Sequence, residues 1–198
     1  RYRRIAPFYD RMEKLSERRF RAWRPLIWSE VRGPTVLEVG VGTGKNMPYY
    51  PGGVHVTAID LTPAMLNRAR RRADALNLDV DLQVGDVQAL DVADGCYDEA
   101  VATFVFCSVP DPVLGLCELG RVVKSGGRIL LPEHVRSANA FLGALMDVAN
   151  PLAAPMMGAN INRRTVENMQ ASGLHVECVK DVGLGGIFKM IVAKPGGP

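Results

Sequence analysis

Residues 36–46 read VLEVGVGTGKN: an apolar run into the acid Glu38, then glycines at alternate positions, Gly40, Gly42 and Gly44. Glycines at such spacing let the backbone turn tightly and approach a ligand closely. Two further acids stand at the ends of apolar runs, Asp60 in TAID and Asp86 in VGDV. A dinucleotide fingerprint needs G-x-G-x-x-G, with a pyrophosphate on the helix that follows. Here the glycine spacing differs, Glu38 would repel a pyrophosphate, and Pro48 cuts short the next helix. The P-loop ending G-K-[ST] is also absent, because Asn46 follows Lys45.

A ligand that carries an ammonium and a sulfonium at this point, and no phosphate, suits these residues better. S-adenosylmethionine is such a ligand. Glu38 can hold its ammonium directly or through water. Asp60, twenty residues after Gly40, can accept from both ribose hydroxyls. Asp86 can accept from the adenine amino group, with Leu61, Met65 and Val87 on the faces of the ring. Asn46 and Cys107 complete the set of expected cofactor contacts. Taken singly, Asp60 and Asp86 are also readable as ordinary strand-end acids; their order along the chain favours the cofactor.

The elements that must position these groups follow from periodicity. Thr35–Val39, Val54–Ile59, Val80–Val84, Tyr97–Phe104 and Arg128–Leu131 read as strands. Pro63–Leu76, with Thr62 as N-cap, and Pro112–Val123 read as helices. This alternation predicts an α/β fold with a parallel, doubly wound sheet. Two last runs, His175–Val182 and Ile187–Ala193, are separated only by Gly183–Gly186, a loop too short for anything but antiparallel neighbours. The sheet should therefore end with a reversed strand. Residues 136–162 interrupt the pattern with an apolar, proline-broken, methionine-bearing stretch, readable as a packed helical insertion, a lid or a shallow membrane contact. Residues 7–23 read as an amphipathic helix, with a shorter helix from Pro25 to Arg32.

The chain has 198 residues, 47% of them hydrophobic and 23% charged, which suits one soluble domain. No uninterrupted apolar run reaches bilayer-spanning length, and no signal-peptide pattern is legible. The four cysteines, at 96, 107, 117 and 178, show no metal-ligand pairing and read as reduced thiols, so no metal is expected. The net charge of +3 is uneven. Residues 1–32 hold ten Lys/Arg against four Asp/Glu, and the remainder is slightly acidic. A basic leading helix predicts an anionic surface as partner, or else a solvated face.

VLEVGVGTG, AID, GDV and VVKSGGRIL together resemble the class I S-adenosylmethionine-dependent methyltransferases, strongly over residues 34–135 and more loosely over the final hairpin. The resemblance implies a Rossmann-like seven-stranded sheet with a reversed last strand and helices on both faces. The amphipathic N-terminal helix would be a lid over the cofactor. YDRMEKLSERR, GTGKNMPYYP, VFCSVPDP and PEHV are similar to the bacterial phosphatidylethanolamine N-methyltransferases of the Rhodobacter type. FCSV, EHV and GANINRRTVENM also resemble membrane-associated thiol methyltransferases, and quinone C-methyltransferases are related.

On the lipid reading, the amine attacks the sulfonium methyl in line, and the enzyme orients the pair and removes a proton. Methylammonium intermediates favour aromatic faces and a nearby acid. Tyr9 is the first candidate for that work, against the alternative that it fills the apolar stripe of its helix. Glu13 and Asp10 could steer the cation. Glu133 and His134, expected after the fifth strand, offer a proton relay or a structural hydrogen bond. Cys107 and Ser108 are expected to line the pocket. Arg163 and Arg164 could hold a lipid phosphate or simply start a helix. The expected setting is a cytoplasmic monomer, peripheral on the inner face of the cytoplasmic membrane, binding phospholipid and no nucleic acid. A small thiol or a quinone precursor as acceptor, and a regulator without turnover, are the alternatives.

Overall fold

The computed structural model describes residues 22–157, 159–183 and 186–196. Tyr9, Asp10, Glu13 and the basic helix expected over 7–23 therefore lie outside the described residues, save for the last two positions of that helix.

Seven strands form one sheet. They are β1 (Thr35–Val39), β2 (His55–Asp60), β3 (Asp81–Val84), β4 (Tyr97–Ala102), β5 (Val123–His134), β6 (His175–Gly183) and β7 (Phe188–Lys194). The order across the sheet is β3-β2-β1-β4-β5-β7-β6. The first five pair in parallel, and β7 runs antiparallel to both β5 and β6. The reversed strand expected from the short Gly183–Gly186 link is thus present, inserted between β5 and its own hairpin partner.

Among the described residues five α-helices accompany the sheet: α1 (Arg24–Trp28), α2 (Pro63–Leu76), α3 (Pro112–Val122), α4 (Ala140–Met157) and α5 (Thr165–Ala171). The central strands are apolar on both faces because helices cover both. One core layer joins Leu37, Val39, Ala100, Ile129 and Leu131 to Leu116 and Leu119 of α3 and Met169 of α5. The other joins Val36, Val56, Ala58 and Leu130 to Ile27 and Trp28 of α1 and Leu66 and Ala69 of α2.

Three expectations change. Thr62 stands at the N-cap position of α2 but makes no side-chain capping bond into the helix; its own N–H donates to Asp60 Oδ1 at 2.8 Å. Strand β5 is far longer than Arg128–Leu131. It absorbs Gly126 and Gly127 where its register against β4 shifts, and it reaches His134, so Glu133 and His134 are its last residues instead of following it. The insertion contains a single 18-residue helix, α4, which runs through Pro151 and Pro155 instead of breaking there. Asn139 starts it, its Oδ1 accepting from the N–H groups of Phe141 and Leu142 at 3.1 Å each. No helix among the described residues is long and apolar enough to cross a membrane.

Candidate active site

The carboxyl ends of β1 and β2 are tied together by the glycine turn. Gly42 N donates to Asp60 Oδ2 at 2.9 Å, and the N–H groups of Gly40 and Val41 donate to Ile59 O at 2.8 and 3.0 Å. Gly40 and Gly42 both have positive φ, +69° and +56°. Their surroundings differ. A Cβ on Gly40 would lie 2.5 Å from Val105 Cγ2, while one on Gly42 would meet nothing nearer than Gly40 O at 3.9 Å. Gly40 is thus needed for packing, and Gly42 presents open backbone to whatever sits on the turn.

Glu38 is almost wholly buried, at 1% exposure. Asn46 Nδ2 donates to its Oε1 at 2.6 Å, and the Tyr50 hydroxyl donates to its Oε2. Asn46 also donates to Thr103 Oγ1 at 3.1 Å and accepts from Arg24 Nη1. Burial pushes the Glu38 carboxyl up to about 7, against the opposing pull of the Tyr50 and Asn46 hydrogen bonds. Glu38 therefore organises the turn from beneath, and Asn46 is the hub that joins it to α1 and to Thr103, just after β4. Asp60 is also raised by burial, although Thr62 and Gly42 amides stabilise its charged form. Each of its oxygens accepts one backbone bond, and the Thr62 hydroxyl also stabilises the carboxylate, which leaves acceptor capacity for a ligand hydroxyl. Leu61 beside it is 65% exposed, while Met65 and Val87 are buried. Asp86 accepts from Gln88 N at 2.9 Å and from Gln88 Nε2 at 3.0 Å. An open glycine backbone, a strand-end carboxylate with acceptor capacity and an exposed leucine beside it fit an adenosine-bearing cofactor.

The ends of β4, β5 and β7 form a second, different surface. Phe104 has φ +57°, unusual for an aromatic residue, and is held there by its N–H to Pro132 O at 3.0 Å. Its ring meets Phe188 edge-on at 5.9 Å. Phe188 also meets His134 at 5.1 Å and Trp23 at 5.3 Å between ring centroids. Burial lowers the His134 pKa, so its imidazole is neutral near pH 7. Phe104 and Phe188 were not among the candidate site residues read from sequence, and Trp23 stood out there only as a side chain that could dip into a membrane interface. They lie far apart along the chain, and nothing but the fold unites them.

On the opposite face of β5, Glu133 is fully buried. Its Oε1 accepts from Val105 N at 2.8 Å and Phe106 N at 3.0 Å, while Oε2 has no partner among the described residues. Burial pushes this carboxyl up to about 8. Cys107 is buried, and its thiol is pushed well above the ordinary value, first by burial and then by Glu133. It lines the site as a neutral thiol. Ser108 Oγ donates to Val105 O at 2.9 Å within the same loop. Arg163 Nη2 donates to Val109 O at 2.7 Å, and its Nε is buried without a partner among the described residues. It tethers the loop after β4. Asn160 does the same, donating to Cys107 O from its backbone at 2.8 Å and its side chain at 3.2 Å. Arg164 is exposed ahead of α5. Among the described residues no group of three or more His, Cys, Asp or Glu is arranged to hold a metal.

This sheet order, with a glycine turn after β1 and an acid ending β2, defines an α/β domain that binds a nucleoside at its carboxyl edge. A family profile described as a methyltransferase domain matches residues 37–131. A phosphatidylethanolamine N-methyltransferase of Cereibacter sphaeroides is 37% identical over 135 residues, covering 67% of this chain and 66% of that protein. A demethylmenaquinone methyltransferase of Deinococcus radiodurans is 31% identical over 165 residues, 80% of this chain and 68% of that one. A thiol S-methyltransferase of Homo sapiens is 32% identical over 130 residues, 61% of this chain and 53% of that one. Among solved structures, the geranyl diphosphate C-methyltransferase of Streptomyces coelicolor, in complex with S-adenosyl-L-homocysteine, superposes with a TM-score of 0.73 at 16% identity, over 95% of this chain and 84% of that one. The chain belongs to the S-adenosylmethionine-dependent methyltransferases. It spans about two thirds or less of the length of the lipid and thiol relatives.

Proposed function

We propose that this methyltransferase acts on the amine of an ethanolamine phospholipid and its methylated intermediates, towards phosphatidylcholine. The aromatic group of Trp23, Phe104 and Phe188 beside His134 is the observation that carries this reading. Methylammonium groups are poorly hydrated cations, and ring faces attract them without stripping a charged partner of water. The similarity to the Cereibacter sphaeroides lipid enzyme supports the same reading.

The cofactor supplies an electrophilic methyl group. The chain's own residues do the rest. Gly42, Asp60 and Leu61 hold the nucleoside, and Glu38 with Asn46 fixes the turn that carries it. Glu133 sets the path of Val105 and Phe106, so the wall facing the acceptor keeps its shape. The neutral His134 imidazole can take the proton that the ammonium must lose before attack. Tyr9 and Glu13 are proposed to complete the cation site from the N-terminal segment. The basic residues of that segment would bring the enzyme to an anionic membrane surface, each worth about 1 kcal/mol near it. The cytoplasmic membrane face is the proposed place of action, and a monomer the proposed unit.

A neutral His134 also suits the second reading, C-methylation of a quinone precursor, where a base must take a phenolic proton. The similarity to the Deinococcus enzyme supports it. One assay separates the readings. Purified protein with labelled S-adenosylmethionine is offered phosphatidylethanolamine in anionic vesicles, a demethylated quinone and a short alkyl thiol in parallel. Label in mono-, di- and trimethylated lipid is expected. Label only in the quinone or only in the thiol would overturn the lipid assignment.

A further inference from the structure

Helix α4 has two unlike sides. Away from solvent, Met146 is buried; to one side Asp147, the helix's only charged side chain and itself 41% exposed, accepts from Arg136 Nη2 at 2.9 Å and Asn162 Nδ2 at 3.0 Å. Outward, Phe141, Leu145, Val148 and Leu152 are 82%, 54%, 77% and 74% exposed. Their spacing of four, three and four places them on one stripe. Ala144 and Pro151 fill the gaps, so no hydrogen-bonding or charged side chain interrupts it. Four large exposed apolar groups in line are not a scatter of surface residues, and such a patch marks a contact surface.

We infer that this stripe is a docking face for the hydrocarbon margin of a lipid bilayer. The inference deepens the proposed function and rests on it for the reason a bilayer is visited. Size argues for this occupant. From Phe141 to Leu152 the ridge is about 17 Å long and about 10 Å across. That is far short of the roughly 800 Å² per partner that a stable protein interface buries. A bilayer needs no complementary partner surface, and a helix with a one-sided apolar face can lie in its interface. Burying the stripe also strands no charge, because Asp147 lies off the stripe and is paired with Arg136.

Position argues for it too. Asn150 Nδ2 donates to Asn160 Oδ1 at 3.0 Å, and Asn160 in turn holds Cys107 O at the carboxyl edge of the sheet. The docking face is therefore braced against the loop that walls the acceptor side. A helix lying in the interface would present that edge to lipid headgroups.

The test is sedimentation of the full chain with neutral phosphatidylcholine vesicles in high salt, where attraction of the basic segment is screened. Affinity for S-adenosylhomocysteine serves as the folding check, since it needs no lipid. The pair Phe141→Asp and Val148→Asp is expected to lower vesicle binding at least tenfold with cofactor affinity unchanged. The milder Phe141→Ser and Val148→Ser pair should lower it severalfold. Val148→Trp should raise it severalfold, a gain that misfolding cannot mimic. Unchanged binding in all three variants would overturn the inference. So would self-association of the wild type that the aspartates abolish while vesicle binding stays intact, because a second copy would then be the occupant. If stripe-dependent docking appears but label goes only to a thiol or quinone, the docking face stands and the lipid-acceptor reading falls.

Discussion

The cofactor edge and the acceptor edge of this sheet are built on opposite plans. At the ends of β1 and β2 two sets of hydrogen bonds stand side by side, Asn46 and Tyr50 on Glu38 and the Gly42 and Thr62 amides on Asp60. At the ends of β4, β5 and β7, rings meet rings, and His134 is the titratable group among them. The first plan fixes one ligand with a defined pattern of donors and acceptors. The second offers shape and quadrupoles, which tolerate a change of acceptor. One cofactor and several acceptors among the relatives is the outcome such a division allows.

The largest effect should come from breaking the rigid side. Gly40→Ala places a methyl 2.5 Å from Val105 at φ +69°, while Gly42→Ala meets only the backbone penalty. Strain and overpacking at position 40 should cost about 2–5 kcal/mol in total. At position 42 the stability cost should be about 1–2 kcal/mol. Both should weaken S-adenosylhomocysteine binding in calorimetry, Gly40→Ala by more than about a hundredfold. If Gly40→Ala melts like Gly42→Ala, the tight contact with Val105 is not what holds the turn.

On the aromatic side, Phe188→Leu keeps an apolar side chain and removes the ring shared by Trp23, Phe104 and His134. Loss of a cation–ring contact of about 1–2 kcal/mol predicts roughly a tenfold fall in kcat/KM for methylated lipid intermediates. Cofactor affinity should not move. A parallel loss of cofactor affinity would show that the two edges are one unit.

Glu133 joins the edges, since it holds Val105, which packs on Gly40. Its carboxyl is raised from 4.5 to about 8, so between pH 7 and 8 the folded chain keeps a proton that the unfolded chain has lost. Stability must then fall as pH rises, by about 1.4 kcal/mol per unit, and level off above pH 8. Glu38, raised to about 7, contributes mainly below that window. Denaturant titrations at pH 7 and 9 should show this loss in the wild type and not in Glu133→Gln, whose amide oxygen can still accept from Val105 and Phe106. An equal loss in both proteins would place the titration elsewhere.

The same contrast explains what could be read without a structure. The glycine turn, Asp60 and Asp86 lie in short local motifs at strand ends, so residue type and spacing expose them. The bounds of β1 and α2 are equally local. Trp23, Phe104, His134 and Phe188 share a site only because β7 is inserted beside β5, a pairing between segments more than fifty residues apart. Arg163 was noticed as a cation near a helix start, but its hydrogen bond to the Val109 carbonyl, fifty-four positions back along the chain, has no local signal. Glu133 was noticed for its place at the sheet edge, but not that it would accept two loop amides.

Leu61 gives the smallest effect and the cleanest division between folding and binding. A leucine 65% exposed contributes little to the core, so Leu61→Ala should change stability by less than about 0.5 kcal/mol. If it lies against the adenine ring, the change removes part of one apolar contact there. Burial of roughly 30–40 Å² by the lost methyl groups is worth about 1 kcal/mol, or about fivefold in Kd for S-adenosylhomocysteine. Met65 and Val87 are buried already and would report on packing and binding together. An unchanged Kd would assign the ring contact to those two and leave Leu61 as plain surface. A fivefold loss with an unmoved melting point would show that the hydrogen-bonded edge, too, ends in an apolar contact kept exposed for its ligand.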